Sequence, residues 1–273
     1  LHKAIRRQRQ MCIRDRVHPM LCEIYSIRNI SASPLVLNVP KFSQEAKTLA
    51  DKGVDGSYVI RADIFGSGTY VLEPWQEIGF QVAFQAYREK GGSMIVPDFD
   101  AEYSARMSFI RDAIDSSLIL ETPDTVINTE FRFAKIRASE SIYRTKGGLM
   151  HGPGGESYYA ALWCNDECEY VNPFYPFLGY AVGNESAFNC YRLYSGFMND
   201  DFKPVPSSII AEGTDIWDGA GDRGDAAMIA HGLSRYLLAR GDKNEAEQLW
   251  PFLKWCLEYC HRKLNAAGVP ESD

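Results

Sequence analysis

The sequence predicts a multidomain α+β protein, with part of an antiparallel β-sandwich first and paired helices after it. Three observations predict this. Period-2 alternation rich in β-branched and aromatic residues runs from Met20 to Arg88. After Pro97 the apolar period changes to 3.6. Near the end, two apolar-striped segments are separated by little more than Arg240-Gly241-Asp242, a link so short that it forces antiparallel helix packing.

Taken in order, Cys22–Ile27, Pro34–Val39, Ser57–Ile64 and Gly79–Tyr87 read as short strands. Gly66-Ser67-Gly68 and Glu73-Pro74-Trp75 supply turn chemistry between them. Polar alternation gives each strand one buried and one wet face, as in a sandwich. Tyr103, Met107, Ile110, Ile114 and Leu118 then mark an amphipathic helix over 103–120, and Thr122-Pro123-Asp124 stops it and starts another over 126–143. A Gly-rich loop at 147–155 leads to aromatic-rich helical segments near 157–163, 167–181 and 185–198, so that everything after residue 120 reads as helix and loop. The final pair is predicted at 224–239 and 243–264, with Trp250 and Trp255 on its apolar, core-facing stripe.

The charge is unevenly spread. The chain of 273 residues carries a formal −7, yet residues 1–16 hold six basic side chains and one acidic one, so the remaining 257 carry −12. The run Arg9–Arg16 looks like one that recurs when sequencing-adapter DNA is translated at the edge of an assembled contig. Residues 1–16 are therefore expected to be non-native, with a partial sandwich at 17–97, a linker helix at 98–123 and the helical region at 124–273. Truncation at both ends is the expectation.

Composition excludes several classes. With 45% hydrophobic residues the chain can bury a sizeable core, which argues against disorder and against a disulfide-dense mini-protein. No apolar run approaches the roughly 18 residues of a membrane span. An acidic body repels phosphate backbones, so nucleic acid is excluded as a partner. Gly152-Pro153-Gly154-Gly155 lacks the Lys-Ser/Thr of a phosphate loop. Cys164/Cys168 and Cys256/Cys260 stand four apart, a spacing wider than most structural zinc sites use and without His partners, so no metal and no cofactor is expected.

Two loops carry the chemistry. The first contains Trp163-Cys164-Asn165-Asp166-Glu167-Cys168-Glu169, after His151 and the Gly-rich turn. The second contains Glu212-Gly213-Thr214-Asp215-Ile216-Trp217-Asp218-Gly219-Ala220-Gly221-Asp222-Arg223-Gly224-Asp225. Both set Trp, carboxylates and an amide or Arg where a helix begins. Aromatic faces stack on sugar rings, and carboxylates and amides bind hydroxyls. Glycosidic cleavage further needs two carboxyl groups, one protonated for the leaving oxygen and one ionised to activate water or attack. Asp166, Glu169 and Asp222 are the catalytic candidates. Trp163, Asn165, His151, Glu212, Asp215, Trp217, Asp218, Arg223 and Asp225 are candidates for substrate binding, with Arg223 expected to keep a neighbouring Asp ionised. Two plainer readings stay open: Asp222 and Asp225 suit capping of the next helix, and Trp163 and Trp217 suit a core.

Sandwich, linker helix and hairpins, with Trp163-Cys164-Asn165-Asp166 and Trp217-Asp218-Gly219-Ala220-Gly221-Asp222-Arg223-Gly224-Asp225 at helix entrances, resemble the six-hairpin glycosidases, among them α-L-rhamnosidases and glucoamylase-like hydrolases. The resemblance covers roughly residues 20–273. It implies that 124–273 is the first part of an (α/α)6 toroid bearing catalytic carboxylates on rim loops, with a carbohydrate substrate and an inverting mechanism. Because only about half the toroid's helices fit, the second carboxylate is expected to be Asp218, Asp222 or Asp225, or to lie beyond Asp273. A glycoside phosphorylase or debranching enzyme on the same scaffold is the nearest alternative, and a non-catalytic carbohydrate-binding or scaffold protein is the alternative from another class. A periplasmic or secreted bacterial setting is the expectation over a cytoplasmic one.

Overall fold

A computed structural model describes residues 5–14, 20–51, 56–145, 147–152, 161–210, 215–217, 219 and 221–272, with backbone alone for 5–14, 215 and 217. Two compact units follow one another along the chain and meet in sequence between Phe109 and Ile110, inside the stretch expected to be a single linker helix.

The strands of the first unit are β1 (Ile5–Arg14), β2 (Met20–Asn29), β3 (Leu35–Val39), β4 (Ser43–Lys47), β5 (Tyr58–Phe65), β6 (Gly68–Leu72) and β7 (Glu77–Arg88). They form an antiparallel sheet in the order β1-β2-β7-β5-β4 and a separate β3-β6 pair. Cys22 and Ala83 face each other across β2 and β7 and are fully buried. Met20 completes that centre, and Ile24, Phe65, Phe99 and Tyr103 pack around it. The last two come from α1 (Phe99–Phe109), which begins four residues earlier than the spacing suggested. Asn29 anchors the end of β2. Its buried amide donates to the Ser33 and Leu72 carbonyls at 2.8 and 2.9 Å and accepts from Ser31, so a polar side chain with no exposure is fully bonded.

The second unit opens with a π-helical turn (Ile110–Asp115) in place of the predicted continuation of a regular helix to 120. Lys135 closes this segment: its buried ammonium donates to the carbonyls of Ile114, Ser117 and Leu118, and burial lowers its pKa. Lys135 belongs to α2 (Thr125–Glu140), whose N-cap Asp124 accepts from the Val126 N–H at 2.8 Å. The helix stops at Glu140, short of the predicted Tyr143, because β8 (Ile142–Thr145) and β9 (Gly148–His151) form a hairpin there. Gly148 turns it with φ +102°, a value that L side chains rarely adopt.

Beyond these lie β10 (Ala161–Trp163), a second π-helical turn (Asp166–Val171), α3 (Asn172–Leu178), α4 (Ala181–Ser195), β11 (Ser208–Ile210), β12 (Asp215–Trp217), α5 (Asp225–Arg240) and α6 (Lys243–Arg262). The region after residue 120 is therefore not all helix. Its described strands run to five, and residues 161–163, expected to be helical, are strand. Three-residue strands are too short to show period 2, and their apolar residues mimic a helical stripe. The whole is an α+β fold of helices with antiparallel sheets.

The α5–α6 hairpin forms as its spacing requires. Gly241 ends α5 in the left-handed region, φ +64°, and the Asp242 carboxylate accepts from the Asn244 and Glu245 N–H groups to start α6. One correction concerns its stripe. Leu249, Phe252, Leu253, Cys256 and Tyr259 face the core, whereas Trp250, one helix position on, is 52% exposed, and Leu238 of α5 is 84% exposed. Trp255 is half-buried, stacked between Phe202 and Tyr259, and donates to the Asn199 carbonyl at 2.9 Å. Cys164, Cys168, Cys190 and Cys256 are fully buried in the same core as Leu162, Ile209, Ile229 and Leu233. Burial raises the thiols of Cys164, Cys190 and Cys256, which keeps them neutral and apolar in behaviour.

Candidate functional site

The strands β10, β11 and β12 build an antiparallel sheet in that order. Its register pairs Trp163 with Ser208 and Ser208 with Trp217. The two Trp-bearing segments, 54 positions apart in sequence, thus occupy one cross-strand row, with two strand spacings of about 4.8 Å each between their backbones. The strand that joins them, Ser208–Ile210, carries no motif of its own and was not foreseen from the sequence.

Ser207, just before β11, ties the first segment to the start of α5. Its carbonyl accepts from the Cys164 N–H at 2.9 Å, and its hydroxyl donates to Asp225 Oδ2 at 2.7 Å. The Cys164 thiol also reaches the Asp225 carbonyl at 3.5 Å. Neither Asp222 nor Asp225 is the N-cap of α5; that position belongs to Gly224, with φ +83°. Asp225 is buried and additionally accepts from the Arg223 N–H at 3.4 Å. Asp222, also buried, accepts from the Gly224 N–H at 3.0 Å and from the Tyr259 hydroxyl, and Lys263 Nζ lies 3.6 Å away. Lys263, just after α6, is thus a cation beside Asp222, and the Arg223 backbone N–H donates to Asp225. A pocket of about 230 Å³ opens here, lined by Asp222, Gly224, Tyr259 and Lys263 among others.

The π-helical turn that follows β10 sorts its acids by exposure. Asn165 and Glu169 are exposed, Asp166 is half-buried and Glu167 is wholly buried. Partial burial pushes the Asp166 carboxyl above the usual aspartate range, with Glu169 adding to the rise and His151 and a backbone bond opposing it. His151, at the end of β9, is 3% exposed and its Nδ1 lies 2.8 Å from Glu167 Oε1. Burial also raises Glu167 against the pull of His151. Gly232 lets α5 press on this turn: a Cβ there would stand 2.1 Å from the Cys168 carbonyl oxygen.

Of the residues singled out in the sequence, Trp163, Asn165, Asp166 and Glu169 lie together on β10 and its turn, and Asp222, Arg223 and Asp225 lie together at the start of α5. Asp215 and Trp217 are placed by their backbone in β12. Glu212 and Asp218 lie outside the described residues. Sequence reasoning missed Ser207, Tyr259 and Lys263, which carry no motif. Glu167 belongs to the same cluster of candidate carboxylates as Asp166 and Glu169, and its contact with the buried His151 distinguishes it. Among the described residues no three His, Cys, Asp or Glu side chains converge as a metal site, and no helix is long and apolar enough to cross a membrane.

No protein-family model matches the chain, and no curated protein matches it. Among solved structures it is similar to a candidate kojibiose phosphorylase from the human microbiome, with 12% identity and a TM-score of 0.48, over 97% of this chain and 44% of that one. It is also similar to a polysaccharide lyase, with 10% identity and a TM-score of 0.26, over 93% of this chain and 56% of that one. The chain spans about half the length of these two structures.

Proposed function

We propose that the chain is part of a carbohydrate-active enzyme, a glycoside hydrolase that cleaves oligo- or polysaccharide with paired carboxylates. The observation that carries this reading is the register row of Trp163, Ser208 and Trp217, with Asp166 three residues beyond Trp163. Aromatic residues beside exposed amide and carboxylate groups suit a sugar ring and its hydroxyls. In this reading Asp166 is the general acid. A half-buried carboxyl that holds its proton above the ordinary aspartate range is suited to deliver it to a leaving glycosidic oxygen. Glu169, exposed on the same turn, raises Asp166 by like charge and is the proposed second carboxylate. Asp222, with both oxygens engaged, orders the start of α5 beside the site.

An inverting outcome is part of the proposal and calls for about 6.5–9.5 Å between acid and base, leaving room for a water. So is the reading of the first unit as part of a β-sandwich and of the second as the first hairpins of an (α/α)6 toroid. The antiparallel α5–α6 pair supports the toroid.

The test is Asp166→Asn, with Asp222→Asn beside it, in the protein that carries this chain. Against substrates with poor leaving groups, Asp166→Asn should lower turnover by about 10²–10⁴, the usual contribution of general acid catalysis. Aryl glycosides with good leaving groups should lose far less. Unchanged hydrolysis of every accepted glycoside by both variants would overturn the assignment. Turnover that requires inorganic phosphate would move the reaction to a phosphorylase.

A further inference from the structure

We infer that His151 and Glu167 are a buried positioning pair for Asp166, holding the turn that carries the acid against β9; the inference rests on the reading of Asp166 as general acid. Three observations converge on it. First, the pair is closed off from water: His151 is 3% exposed and Glu167 0%, with 2.8 Å between Nδ1 and Oε1. Neither side chain can meet a substrate from that position, so any influence on chemistry passes through a neighbour. Second, Glu167 Oε2 has no hydrogen-bond partner among the described residues. A buried carboxylate with one oxygen unsatisfied is costly, and an apolar side chain of the same size would pack more favourably in a purely structural role. Third, Glu167 directly follows Asp166, and both His151 and Glu167 interact electrostatically with it.

The geometry explains how the pair acts. Asp166 and Glu167 begin a π-helical turn, a form that widens the backbone and is common at functional sites. Adjacent residues on such a turn point in different directions, so fixing Glu167 inward fixes Asp166 toward the surface. His151 supplies the fixed point because β9 pairs with β8 and packs on α4. Among the described residues, the groups around the pair include Asp166 and Cys168 from the turn itself, the Tyr175 ring from α3 at 6.2 Å, and Cys190, Tyr191 and Tyr194 from α4. No lysine or arginine is among these described groups, so the His151 ring is the partner that meets Glu167.

The experiment compares Asp166→Asn, Glu167→Gln and His151→Gln, each assayed with two glycosides that differ only in leaving-group acidity. The readout is the ratio of the two rates within one preparation, which does not depend on how much of the variant is folded. If the pair positions the acid, Glu167→Gln and His151→Gln each raise the preference for the good leaving group about tenfold to a hundredfold, with KM little changed, because a misplaced proton donor fails the poor leaving group first. A ratio equal to the unaltered protein's in both variants, while Asp166→Asn shifts it, overturns the pair's role and leaves the acid assignment standing. A ratio unmoved in Asp166→Asn overturns the functional reading beneath it.

Discussion

The Ser207 hydroxyl donates to the Asp225 carboxylate at 2.7 Å while the Ser207 carbonyl accepts from the Cys164 N–H. One small residue thereby joins the strand bearing Trp163 to the helix that follows the second Trp segment. Both side chains are buried, so the bond is shielded from water. Ser207→Ala, Asp225→Asn and the double variant, unfolded in urea, should give a coupling energy of about 1–3 kcal/mol. Strict additivity of the two single changes would show that the bond carries no energy of its own.

Gly232 is where α5 meets the turn of Asp166. An added methyl would stand 2.1 Å from the Cys168 carbonyl oxygen, a backbone atom that cannot swing aside. Gly232→Ala should lower stability by about 1–3 kcal/mol despite alanine's better helix propensity, because overpacking outweighs it. Urea midpoints at unchanged slope check this, and a stabilised variant would contradict the close approach.

Asp166 has its pKa raised, chiefly by burial. As the general acid it must be protonated, so kcat/KM should fall as pH rises through that raised value, and Asp166→Asn should abolish this limb. The same shift sets a stability trend. A folded-state value above the unfolded one means that the folded protein holds the proton more tightly. This contribution is complete below the unfolded value of about 3.8 and disappears as pH rises through the folded value. Thermal melts of the protein and of Asp166→Asn across that range should diverge in this direction.

Asp63 has the opposite sign. Arg61 grips it with Nε and Nη2 at 2.7 and 3.0 Å, and this bond lowers the Asp63 pKa. Its stabilising contribution is therefore present above the unfolded value of about 3.8 and is lost as pH falls through the lower folded value. Asp63→Asn should reduce Tm at neutral pH, and the gap between the two proteins should close in acid. A gap independent of pH would place the effect in packing rather than charge.

How much of this was legible beforehand varies with the length of the element. β2, β5 and β7, of eight to twelve residues, show their alternation directly, and the α5–α6 hairpin is announced by two long stripes and a three-residue link. β10, β11 and β12 have three residues each, too few for a period, and for that reason the apolar residues of 161–163 read as helix in the sequence. In the site, the residue types that suit a sugar were recognisable in both loops. Exposure separates Asp166 from Glu167, and adjacent carboxylates look alike in a sequence.

By itself the sequence determined the strand-rich first part, the hairpin of helices and the two Trp–carboxylate segments, because periodicity, turn residues and side-chain chemistry are local properties. Only the tertiary structure decided that Ser208 stands between Trp163 and Trp217, that Glu167 turns inward to His151, and that Lys263 lies beside Asp222. Those are pairings between distant segments, set by which surfaces the folded chain can bury together and which buried polar groups it can then satisfy.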